Sequence, residues 1–80
     1  MNNIDDIAKY FIYISHKEKR PVSNQKLQKL LYYAQAWYLV EYGKKLYEDD
    51  IEAWVHGPTI PNIYRKYKKH GSYPIPMISG

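Results

Sequence analysis

The stretch from Ser23 to Gly43, SNQKLQKLLYYAQAWYLVEYG, constrains the fold more than any other part of the chain. Leu27, Leu30, Leu31, Ala34, Trp37, Tyr38 and Tyr42 recur at steps of three and four, so they share one face of an α-helix. Tyr32, Ala36, Leu39 and Val40 occupy the other side. A helix that is apolar nearly all round is ordinarily wrapped by other elements, which predicts a buried central helix. Its ends are marked. Ser23 suits the N-cap, Val22 and Leu27 have the spacing of a hydrophobic staple, and Gly43 suits the left-handed position that closes a helix.

The segment before it reads as a helix from about Ile4 to Glu18, capped by Asn3, with Asp5 and Asp6 near the positive end of the dipole. Its apolar stripe is Ile4, Ile7, Ala8, Phe11 and Ile14, flanked by Tyr10 and Tyr13. The basic run HKEKR complements the far end of the dipole, and Pro21 cannot continue the helix. Helices joined by so few residues pack as neighbours.

After Gly43 the pattern changes. LeuTyr at 46–47 and IleGluAlaTrp at 51–54 have the composition of two short strands paired about the acidic turn Glu48 to Asp50. The alternative is an irregular loop in which Leu46, Ile51 and Trp54 plug the base of the core. His56, Gly57 and Pro58 form a breaker. TIPNIYRKYKKHG then reads as a third helix, with Thr59 as cap, Pro61 in the first turn and Gly71 as stop. Ile60, Ile63, Tyr64 and Tyr67 face inward, leaving Arg65, Lys66, Lys68 and Lys69 outside. The tail carries Ile75, Met77 and Ile78 between prolines, more apolar material than a free end shows. It either docks on the body or leads to something further.

The fold class is therefore mainly α, a small three-helix domain around a central hydrophobic helix, with a short β-hairpin between the second and third helices. Eighty residues make one domain. A chain of this size buries only about 60% of the surface its unfolded form exposes. Ten Tyr, two Trp and one Phe exceed what so thin a core hides, which points to rings at an interface.

Function classes narrow by chemistry. With no cysteine there is neither a disulfide framework nor a thiolate metal site. His16, His56 and His70 lack a metal-ligand spacing, so no metal or other cofactor is expected. His56, beside the break, is expected to fix the HGP turn by a hydrogen bond. Glu48, Asp49, Asp50 and Glu52 are read as solvated. No nucleophile elbow and no glycine-rich phosphate loop is present, so the chain is not expected to be an enzyme. Asp5, Asp6 and Lys9 interrupt the N-terminal segment, against a leader or membrane anchor and in favour of the cytoplasm.

The net charge is +4, from 12 Lys and Arg against 8 Asp and Glu. It is distributed in two blocks. Lys44 and Lys45 are outnumbered by Glu41, Glu48, Asp49, Asp50 and Glu52, whereas Arg65, Lys66, Lys68 and Lys69 have no acidic neighbour in their run. That basic run, interleaved with Tyr64 and Tyr67, supports an alternative reading as a nucleic-acid-binding module of a phage or prophage regulator. Because both tyrosines fall at apolar positions of the helix, a solvated face is the preferred reading.

The string KLQKLLYYAQAWYL from Lys26 to Leu39 resembles the Panacea domain of SocA-like antitoxins, found in bacteria and their phages. Gly43 followed by Leu46, the IEAW of Ile51 to Trp54, and HGPTIPNIY match the same family in order. The resemblance covers about residues 4 to 71. It implies an antitoxin that binds and neutralises a protein toxin by direct contact, and, in the SocA type, an adaptor that passes the toxin to an ATP-dependent protease, ClpXP. Family members continue with further helices, so this chain is expected to lack them and to cover the exposed face by self-association as a homo-oligomer or with a partner. The expected partner-binding residues are Lys29, Tyr32, Tyr33, Trp54, His56, Pro58 and Tyr64.

Overall fold

The structure, a computed structural model, describes residues 2–77. It contains three helices, α1 (Ile4–Lys17), α2 (Asn24–Tyr42) and α3 (Pro61–Tyr67), with an antiparallel hairpin of β1 (Glu52–Trp54) and β2 (Gly57–Thr59) between α2 and α3. A 3₁₀ turn, Lys68–His70, follows α3. α1 and α3 pack on α2 and on each other, and β2 is the strand laid against α2.

The caps form as their residue types dictate. The Asp5 N–H donates to Asn3 Oδ1 at 2.8 Å, and the Lys26 N–H donates to Ser23 Oγ at 3.3 Å. Gly43 closes α2 at φ +68° with its N–H on the Leu39 carbonyl. α1 ends differently. Lys19 takes a left-handed φ of 59°, the Arg20 N–H reaches the Ser15 carbonyl and the Lys19 N–H reaches that of His16, a Schellman closure with lysine where glycine is usual.

The buried face of α1 is Ile4, Ala8, Ile12 and Ser15. It is rotated from the stripe read in the sequence: Ile7, Phe11 and Ile14 lie half-buried at its margin. Steps of four, four and three describe one side of a helix as well as the steps the sequence reading chose, and the position of α2 selects between them.

α2 departs most from expectation. Leu27, Gln28 and Leu31 are fully buried and Asn24 nearly so, but Trp37, Leu39, Val40 and Tyr42 are exposed. The helix is central only in its first half. The core ends where Tyr47 packs, and the last turns of α2 extend past it, mostly uncovered by the described residues.

The hairpin also sits elsewhere. Leu46 and Tyr47 do not pair with the segment 51–54 about the acidic run. The strands are instead Glu52–Trp54 and Gly57–Thr59 in register Glu52↔Thr59, Ala53↔Pro58 and Trp54↔Gly57, turning at Val55 and His56. The reason lies in α2: Gln35 Oε1 accepts the Leu46 and Tyr47 N–H groups at 2.6 and 3.4 Å, and Gln35 Nε2 donates to the Tyr47 carbonyl at 2.7 Å. Backbone claimed by a side chain is not free for a ladder. Tyr47 becomes core, and Leu46 and Ile51 pack against it as half-buried plugs.

Thr59, expected to cap the third helix, belongs to β2, and its hydroxyl donates to the Gly57 carbonyl at 3.1 Å. Ile60 occupies the cap position without a side-chain hydrogen bond. α3 stops at Tyr67, earlier than the sequence suggests, with the remaining turn 3₁₀. The tail docks: Ile75 is buried, its N–H donates to the Val22 carbonyl at 2.8 Å, and His16 Nε2 donates to its carbonyl at 2.7 Å. Ile78 lies outside the described residues.

Candidate functional site

The hairpin is held by amides of α2. Asn24, Gln28 and Gln35 share the face of Leu27 and Leu31, so polar side chains stand where a helix in a core normally shows hydrocarbon. Gln28 Nε2 donates to Asn24 Oδ1 at 3.0 Å, Asn24 Nδ2 donates to the Tyr64 carbonyl at 2.9 Å, and Gln28 Oε1 accepts the Ile60 N–H at 2.8 Å. Gln25 Nε2 reaches the His56 carbonyl at 3.3 Å. Sequence reading missed these residues. Their signal was an amide at each of positions 24, 28 and 35, at helical spacing on the apolar face.

So held, the hairpin sets Trp54 of β1 and His56 of the turn against Tyr64 of α3. Trp54 stands at 5.1 Å from Tyr64 and 5.8 Å from His56, edge to face, and His56 stacks on Tyr64 at 5.4 Å with 22° between planes. The indole N–H of Trp54 donates to Glu52 Oε1 at 2.8 Å, so the ring is tied to its own strand. All three residues are half-buried, with edges available to a partner. Val55 at the tip is fully exposed.

The expected hydrogen bond from the His56 ring is absent. Its Nδ1 is buried and has no partner among the described residues, and the ring is positioned by the two aromatic neighbours. The turn is tied through its backbone instead, by Gln25 and Thr59. Gly57 adopts φ +121°, a conformation that side chains rarely take, and Lys29 runs beside it with Cε 3.6 Å from where a β-carbon would stand.

Between this turn and α2 lies an open, mainly apolar groove of about 470 Å³ lined by Tyr32, Ile51, Trp54 and Pro58. Lys29, Tyr32, Trp54, His56, Pro58 and Tyr64 therefore all border the hairpin, although they are scattered over 36 positions of the chain, from 29 to 64. Tyr33 stands one step round the helix, exposed, with its ring 5.5 Å from that of Tyr32.

The basic run does not form one free face. Lys66 Nζ pairs with Asp5 Oδ1 at 3.0 Å, and that hydrogen bond raises the lysine pKa. Arg65 donates to Asn62 Oδ1 at 2.9 Å and lines a cleft of about 380 Å³ with Glu48, Asp49, Asp50 and Glu52. Lys68 and Lys69 remain exposed. Tyr67 is buried, which pushes its phenol pKa up, and Tyr64 is stacked on His56, so neither offers a ring for a base.

Among the described residues no three His, Asp or Glu side chains converge as metal ligands, and no helix is long and apolar enough to cross a membrane. The chain is 45% identical over 51 residues to Antitoxin SocA of Caulobacter vibrioides (strain NA1000 / CB15N), a match that covers 64% of this chain and 27% of SocA. It thus spans about a quarter of that protein's length. No solved structure matches. The family model described as Antitoxin SocA-like, Panacea domain matches residues 27–78, from the buried half of α2 through the hairpin, α3 and the docked tail. With that match over more than half its length, the chain belongs to the SocA-like Panacea domain family.

Proposed function

We propose that this chain is an antitoxin that acts in the cytoplasm, binding and neutralising a protein toxin by direct contact and without catalysis. The observation that supports the reading is the aromatic platform. Trp54, His56 and Tyr64 are packed on one another and wedged on the amide-anchored turn, so they meet a partner with little side-chain entropy left to lose. Rigid rings with a polar tip beside a groove are the type of residue that dominates protein interfaces. Lys29, Tyr32, Tyr33 and Pro58 complete the surface. Transfer of the bound toxin to an ATP-dependent protease such as ClpXP is a further step of the same proposal, carried by family membership alone.

The test is co-expression of the 80-residue chain with the protein encoded beside it, followed by co-purification and a growth assay. Rescue of growth with a stable complex is expected. Tyr32→Ala and Trp54→Ala should each weaken the complex about tenfold or more, as for anchors at the centre of an interface. A toxic neighbour that is neither bound nor neutralised refutes the reading.

A further inference from the structure

Pro58 faces Ala53 across the hairpin. Proline has no N–H, so these two residues cannot exchange the paired hydrogen bonds of an antiparallel ladder, which run instead through the neighbouring pairs Glu52–Thr59 and Trp54–Gly57. The N–H and C=O of Ala53 therefore point away from β2. Neither finds a hydrogen-bond partner among the described residues, and Ala53 is exposed. The other side of the hairpin is closed, because β2 lies against α2 and Pro58 has no donor to offer. A donor and an acceptor side by side on a bare strand call for an extended chain, since a helix has already used its own backbone groups. One residue of an antiparallel strand satisfies both.

Two further features define what that strand carries. Ala53 and Pro58, as a cross-strand pair, share a face of the hairpin, and with Tyr32 and Ile51 they line the apolar groove of about 470 Å³. The side chain opposite Ala53 falls on this face, so an apolar residue suits it. Just before β1, Glu48, Asp49, Asp50 and Glu52 border the adjoining cleft with Arg65 as its one cation. Glu48 and Asp50 are exposed. An antiparallel strand passes these carboxylates after its residue at Ala53, where lysine or arginine complements them. The same strand from a second copy brings no such residue, because no lysine or arginine stands between Lys45 and Arg65.

We propose, resting on the antitoxin reading for the partner's identity, that the free edge of β1 takes an extended segment of the toxin as a third, antiparallel strand. Its apolar residue opposite Ala53 enters the groove, and the basic residues that follow run along Glu48 to Asp50.

The probes are three synthetic peptides of about nine residues, enough to span the edge and the acidic run. Each alternates valine and threonine around a central leucine. The first has lysines after the leucine, the second has glutamates there, and the third is the lysine peptide with its leucine amide N-methylated. The lysine peptide should shift the Ala53 amide resonance and protect it from hydrogen exchange, and should bind about tenfold tighter than the glutamate peptide. N-methylation should cost about tenfold, because it removes the donor to the Ala53 carbonyl and touches nothing in the folded chain. Ala53→Pro removes the other donor at a position outside the ladder, and should weaken the lysine peptide about tenfold with the melting temperature little changed. If that variant unfolds, the N-methyl comparison decides.

No binding, equal affinity of the lysine peptide and its N-methylated form, or an unmoved Ala53 amide overturns the proposal. So does protection of Ala53 in the free chain that is lost on dilution, which assigns the edge to a second copy. In the complex with the protein encoded beside it, Ala53 should be protected. A neighbour that is bound and neutralised with Ala53 still exchanging freely overturns the edge and keeps the antitoxin reading. A neighbour that is not bound refutes the antitoxin reading, and the peptides still decide the edge.

Discussion

The Gln28 side chain joins the two halves of the molecule: its Oε1 accepts the Ile60 backbone N–H at 2.8 Å, from a position fully inside the core. Ile60 is the cap residue of α3 and has no side-chain acceptor of its own for the orphan donors of that helix. One glutamine thus sets where the hairpin ends and α3 begins. Gln28→Ala leaves that N–H buried and unpaired, and is expected to cost about 1 to 3 kcal/mol in urea unfolding. The nearby Lys26 cannot take over, because it is exposed and its ammonium accepts no hydrogen bond. A cost below about 0.5 kcal/mol would show that water replaces the amide.

Backbone conformation makes a graded prediction. Lys19 holds a left-handed φ of 59° without being glycine, so Lys19→Gly should stabilise the fold by about 0.5 to 1 kcal/mol. Gly43→Ala meets open space at φ +68° and should cost about 1 kcal/mol. Gly57→Ala, at φ +121°, should cost about 1 to 3 kcal/mol and displace the turn that carries Trp54 and His56. Thermal denaturation of the three variants should give that order.

Tyr47 predicts an alkaline limit to stability. Burial, with the Asp49 carboxylate as a second cause, pushes its phenol well above the ordinary 10.0. The folded state therefore keeps a proton that the unfolded chain releases near pH 10. The associated stability is fully present below that pH and is lost progressively as pH rises above it toward the folded value. Tyr67, raised by burial, acts in the same direction. Tyr47→Phe should lose about 1 kcal/mol at neutral pH, because the phenol donates to the Leu31 carbonyl at 2.8 Å. Above pH 10 its stability should fall less steeply than that of the wild type, and parallel pH curves would contradict the assignment.

The tail is part of the fold. Ile75 is buried at 1% exposure, with backbone bonds to Val22 and to the His16 ring. Ile75→Ala should cost about 2 to 5 kcal/mol, and limited proteolysis should then cut near Tyr73 before the body unfolds. His16→Ala should reproduce the early cleavage with a smaller loss of stability.

Much of this was legible in residue types. The three helices, their caps at Asn3, Ser23 and Gly43, and the inward residues Ile60, Ile63 and Tyr67 follow from periodicity and local chemistry, which act over a few residues. The resemblance carried by KLQKLLYYAQAWYL, IEAW and HGP led to the family that the match over residues 27–78 shows. Long-range relationships were not legible. Periodicity marks the face of α2 that is apolar, but whether Trp37 and Val40 are covered depends on which elements reach them, and Leu31 is the last buried residue of that helix. Likewise, 46–47 and 51–54 had strand composition, and nothing local revealed that Gln35 would capture the first pair. The sequence by itself determined the helices and the surplus of aromatic rings. Only the tertiary structure decided the hairpin's register, the packing of the His56 ring between Trp54 and Tyr64, and how far the described residues cover α2, because each depends on side chains far apart in the chain competing for one backbone group or one face.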